Sequence, residues 1–159
     1  MNQWEKDFAV IKMIVSAIYG AMIIYAMMIL LRIPAIPYRW EQAQQIIFFV
    51  LLASVPGMFF ISALIGKQMM NSEKLTEKFR AADNGENGMK AATESVRTGA
   101  MIMAVVGEAC AMYGLLLYFL SGDSTRPWIF LALGAIHYTM TMARLKKSRE
   151  DLQHLSRGY

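Results

Sequence analysis

The chain has 159 residues, 56% of them hydrophobic and 18% charged, with a mean hydropathy of +0.35 and a formal net charge of +4. An average soluble domain is about 45–50% apolar and about 25% charged, so this composition argues against a disordered chain, a coiled coil and an ordinary soluble enzyme. A single cysteine, Cys110, excludes an intrachain disulfide framework and a cysteine-based zinc site, and two histidines, His137 and His154, leave little for metal chemistry.

The apolar residues fall into four blocks without interior Lys or Arg. Met13 to Leu31 has 19 residues and no charge, Ile46 to Gly66 has 21 and no charge, and Gly99 to Leu120 has 22 and the single charge Glu108. Trp128 to Ala143 has only 16, with His137 inside. A membrane helix needs about 20 apolar residues, so the fourth block spans only by snorkelling at its ends or by thinning the bilayer. In lipid every backbone polar group must be satisfied internally, so each span is predicted to be a helix. Pro56-Gly57 should kink the second.

The first block is too long for a secretory signal, and no small-residue cleavage site follows it, so a cleavable signal peptide is not expected. Between the second and third spans, Ser72 to Arg80 carries mixed charges at helical spacing, Asp83 to Gly88 reads as a turn, and Met89 to Arg97 can restart a helix. This predicts that the second and third spans extend beyond the membrane as an antiparallel hairpin over 67–98. It would be a solvated connector or, alternatively, a docking stalk. The tail 144–159 is strongly basic and reads as an anchor at lipid headgroups.

Lys6 and Lys12, the six basic residues of the middle loop and the five of the tail place thirteen basic residues on one side of the membrane. Arg32, Arg39 and Arg126 place three on the other. The positive-inside rule then puts both termini and the middle loop in the cytoplasm. The net charge is a topology signal, and no nucleic-acid partner is expected. Trp40 and Trp128 fall at the outer boundary and Trp4 near the inner one, as an aromatic belt would place them.

A carboxyl inside a span is costly and usually marks function. Glu108 is the tenth residue of the third span, ~14 Å from its inner end. A carboxyl held at that depth can load and release a proton, or hold a cation. The competing expectation is a protonated side chain that only bonds a neighbouring helix. His137 lies ~9 Å deep in the fourth span, which should pack antiparallel to the third. His137 is therefore the natural partner to test for Glu108, in a pair sharing a proton, against the alternative that His137 bonds Thr139, Tyr138 or a backbone carbonyl, or snorkels inward.

Ala100, Ala104, Gly107, Ala111 and Gly114 form a small-residue stripe on one face of the third span, where another backbone can approach closely, within the chain or between copies. Ala17-Ile18-Tyr19-Gly20 and Ala111-Met112-Tyr113-Gly114 match at similar depth in the first and third spans, which suggests a duplicated hairpin. The methionines are read as packing filler.

The run Glu108-Ala109-Cys110-Ala111-Met112-Tyr113-Gly114-Leu115 resembles the ion-carrying helix of rotary ATPase proteolipids, the c subunits, many of which carry Tyr-Gly-Leu five to seven residues after a glutamate. The resemblance is local to these eight residues. It implies that Glu108 is a proton or sodium site with Tyr113 nearby.

The sequence thus predicts an all-α, multi-pass integral membrane protein of the bacterial inner membrane. It forms a single membrane domain with four transmembrane helices arranged as two antiparallel hairpins, and both termini are cytoplasmic. Expected partners are the lipid bilayer and either further copies of the chain or other membrane subunits. No cofactor is expected, and no nucleophile–base set, metal cluster or phosphate-binding loop points to an enzyme. The function expected is a small proteolipid-like protein handling a proton or cation at Glu108, His137 and Tyr113. The alternative is an accessory or assembly subunit with no transport role.

Overall fold

A computed structural model describes residues 3–82 and 85–157. The described residues form five α-helices and no strand: α1 Gln3–Leu30, α2 Gln42–Met69, α3 Ser72–Ala81, α4 Gly85–Ser121 and α5 Pro127–Arg157. Three of them, α1, α2 and α4, are long and apolar enough to cross a membrane. α5 is apolar only in its first half, which contains the block 128–143. α2 runs through Pro56 unbroken.

α4 is the centre of the bundle, and α5, α1 and α2 all pack on it. α1 and α2 do not pack on one another, which corrects the expected pair of antiparallel hairpins. The reason lies in the segment between them, residues 31–41, which crosses over the C-terminal end of α4 and sets α1 and α2 on different sides of it. Tyr118 Oη donates to the Pro34 carbonyl at 2.7 Å, and the Arg39 amide donates to the Ser121 carbonyl at 2.6 Å. Gly122, at φ 64, closes α4 in the left-handed conformation that glycine adopts freely. A Cβ there would stand 2.5 Å from the Ile36 carbonyl oxygen.

The turn into α5 is set by Asp123, whose buried carboxylate accepts from the Thr125 amide at 2.7 Å and from Arg126 Nη1 at 2.6 Å. The Arg126 guanidinium lies 3.8 Å above the Trp40 ring. Pro127 opens α5, a position whose missing N–H has no helical partner to lose.

At the opposite end the helix expected over Ser72 to Arg80 is present as α3 and packs on α4, but α2 does not run on into it. α2 stops at Met69 rather than continuing into a stalk, and α3 turns back onto α4 with Leu75 and Phe79 buried. Gly88 makes the contact possible: a Cβ there would lie 2.5 Å from the Phe79 carbonyl oxygen. The predicted turn 83–88 falls partly outside the described residues, and α4 is already helical at Gly85. The basic tail is helical and packed. Residues 144–157 continue α5, and Leu145, Ser148 and Leu152 are buried at spacings that repeat one helical face. Together with Trp4 and Phe8 of α1 they close a cap whose core is continuous with that of the bundle.

Candidate functional site

Glu108 lies at the border between the buried and exposed faces of α4, with exposed Val105 and Met112 about one turn before and after it. It is half-buried. Tyr25 Oη of α1 donates to Glu108 Oε1 at 2.8 Å.

A second polar layer is built around His137, which is 1% exposed. Nδ1 is 2.8 Å from Tyr19 Oη of α1, and Nε2 is 2.7 Å from Ser62 Oγ of α2. Thr141 Oγ1 is 3.1 Å from Tyr19 Oη and donates to the His137 carbonyl at 3.0 Å. One assignment of hydrogens satisfies every group. Nδ1–H donates to Tyr19, Tyr19 donates to Thr141, Thr141 donates to the carbonyl, and Ser62 donates to Nε2. The edge of the Phe59–His137 pair closes the layer, with ring centroids 5.2 Å apart. Arg144, which donates to the Ala63 carbonyl at 3.2 Å, stands on the cap side of it.

The small-residue stripe explains how these groups meet. Ala100, Ala104, Gly107, Ala111 and Gly114 are all buried. A Cβ on Gly107 would come within 2.4 Å of Tyr19 Oη and 2.6 Å of His137 Nδ1. A Cβ on Gly114 would stand 2.6 Å from the Pro127 carbonyl oxygen. The stripe therefore seats α1 and α5 within the chain.

Of the residues expected to act together, the structure joins few. Glu108 and His137 do not share a hydrogen bond: both ring nitrogens of His137 are taken by hydroxyls, while Glu108 is bonded by Tyr25. It is Gly107, one residue and 100° around α4 from Glu108, that faces the imidazole. Tyr113 is not beside Glu108 either. Five residues turn it about 140° away, and its ring packs edge-on to Phe130, with centroids 6.0 Å apart. Thr139 turns away from His137 and donates to the Ile136 carbonyl, and Tyr138 stacks edge-on with Tyr19. The two matched tetrapeptides stand in unlike surroundings, since Gly20 faces open space and Gly114 is tightly packed.

Sequence reasoning missed Tyr25, Tyr19, Ser62 and Thr141 as partners. Their common signal is a hydroxyl within an apolar block at the depth of an ionisable group. The described residues contain no group of three or more His, Cys, Asp or Glu placed to hold a metal ion. Compared with protein-family models, curated proteins and solved structures, the chain matches none.

Proposed function

We propose that this is a four-span protein of the bacterial inner membrane, with both termini and the cap in the cytoplasm, in which Glu108 takes up and releases a proton or a cation. The observation that carries the reading is the Tyr25–Glu108 bond of 2.8 Å at the junction of α1 and α4. It holds a carboxyl in a defined geometry at a depth where an uncompensated charge is costly. A carboxyl placed there and bonded by one phenol is suited to exchanging a proton or holding a cation.

The topology rests on the distribution of basic residues, thirteen against three, and on the apolar first half of α5. Its 16 apolar residues rise ~24 Å against a core of ~30 Å. Trp128 and Arg144, which flank the block, can reach the two interfaces and make up the difference.

Proton uptake by liposomes carrying the full-length chain tests the function. Glu108→Gln, which keeps the shape and removes the charge, should abolish flux without altering assembly. Flux that persists in a correctly assembled Glu108→Gln protein would contradict the reading and leave the accessory role.

A further inference from the structure

Within its apolar stretch, α1 is tied to the other helices by two phenols: Tyr25, which bonds Glu108, and Tyr19, which enters the His137 layer. The other contacts of α1 there are apolar. In hydrocarbon such contacts gain little over contact with lipid, so packing alone specifies the rotation and sliding of a helix weakly. Directional bonds then set its register.

The two bonds differ in kind. The Tyr25 bond is half-buried and ends on the group that must change its charge. The Tyr19 bond is sealed, with Tyr19 5%, His137 1% and Thr141 0% exposed. Tyr19 is also held from two directions, by Nδ1 at 2.8 Å and by Thr141 at 3.1 Å, in the space that the absent Cβ of Gly107 leaves. His137 is in turn anchored on α2 by Ser62 at 2.7 Å. It thereby ties together α1 and α2, which do not pack on each other. A slip of α1 by one residue would turn Tyr25 by 100° and carry its hydroxyl off the carboxyl.

We propose that His137 is the positioning residue for Glu108: through Tyr19 it locks α1 in the one register that delivers the Tyr25 hydroxyl to the carboxyl. This rests on Glu108 being the ion-binding group. Among the described residues, it is Tyr25 Oη that bonds the carboxyl. The other titratable or charged groups near this layer are Tyr138 and Arg144 of α5 and Cys110 of α4.

The test is the pH profile of Glu108 toward dicyclohexylcarbodiimide, which attacks the protonated carboxyl. The full-length chain in lipid nanodiscs is labelled from about pH 5 to about pH 9, and the modified residue is read by mass spectrometry. Tyr25→Phe removes a donor to the carboxylate and should raise the labelling midpoint by about one pH unit. Tyr19→Phe and His137→Leu should raise it in the same direction although neither residue touches Glu108. His137→Asn, which keeps a donor toward Tyr19, should return it toward the unsubstituted value. Adding His137→Leu to Tyr25→Phe should move it no further. The proposal is overturned if Tyr19→Phe, a mild change that keeps the ring, leaves the midpoint unmoved while Tyr25→Phe shifts it. It is equally overturned if His137→Asn shifts the midpoint as far as His137→Leu. An unsubstituted chain that does not label at any pH overturns the ion-site reading itself, a separate failure.

Discussion

Gly107 is where the two polar layers and the helix packing meet. It has no side chain, so Tyr19 Oη and His137 Nδ1 occupy the volume in which a Cβ would sit 2.4 and 2.6 Å from them. Gly107→Ala should therefore force α1 outward or break the Tyr19–His137 bond, at a cost of about 1–3 kcal/mol from overpacking. Thermal unfolding in mild detergent measures this. The same substitution at Gly20, which faces open space, should cost nothing by this mechanism. Glu108 and His137 were both legible as ionisable groups inside apolar blocks, because a charge or an imidazole is conspicuous there. Their partners were not. A hydroxyl is nearly neutral in hydropathy, so Tyr25, Ser62 and Thr141 left no mark in the pattern, and only the rotation of each helix shows which atoms they meet.

At the scale of elements, the apolar blocks gave away the helices but not their arrangement. The 11-residue segment between α1 and α2 (31–41) was long enough either to close a hairpin or to cross the end of α4. The choice was made by contacts remote in sequence, Tyr118 with Pro34 and Arg39 with Ser121. The packing of the tail went unread for a different reason. Its basic residues dominated, yet Leu145, Ser148 and Leu152 already marked one helical face. That face packs into the core shared by Leu75, Phe79 and Trp4. Leu152→Ala should destabilise the cap by about 2–4 kcal/mol. The amides of α3 should exchange hydrogen faster as a result, while those in the apolar half of α4 keep their protection. Equal acceleration in both would mean that cap and bundle open as one unit.

The whole molecule combines a bundle rich in exposed apolar side chains with a compact, charged cap at one end. Orientation can be tested on a Cys110→Ala background, since Cys110 is buried and is the only cysteine. A cysteine placed at exposed Ala35 should react with an impermeant maleimide from outside intact cells, and one placed at exposed Lys147 only after permeabilisation. The reverse pattern would invert the topology and put the cap outside. Glu108 is the single acidic residue within the apolar blocks, and the role proposed for it is read most directly by carbodiimide labelling of the unsubstituted protein in lipid, with the modified residue located by mass spectrometry. One labelled carboxyl is expected, Glu108, whose reaction declines as pH rises. Glu108 unlabelled at every pH, in a protein that is folded and in the membrane, would contradict it.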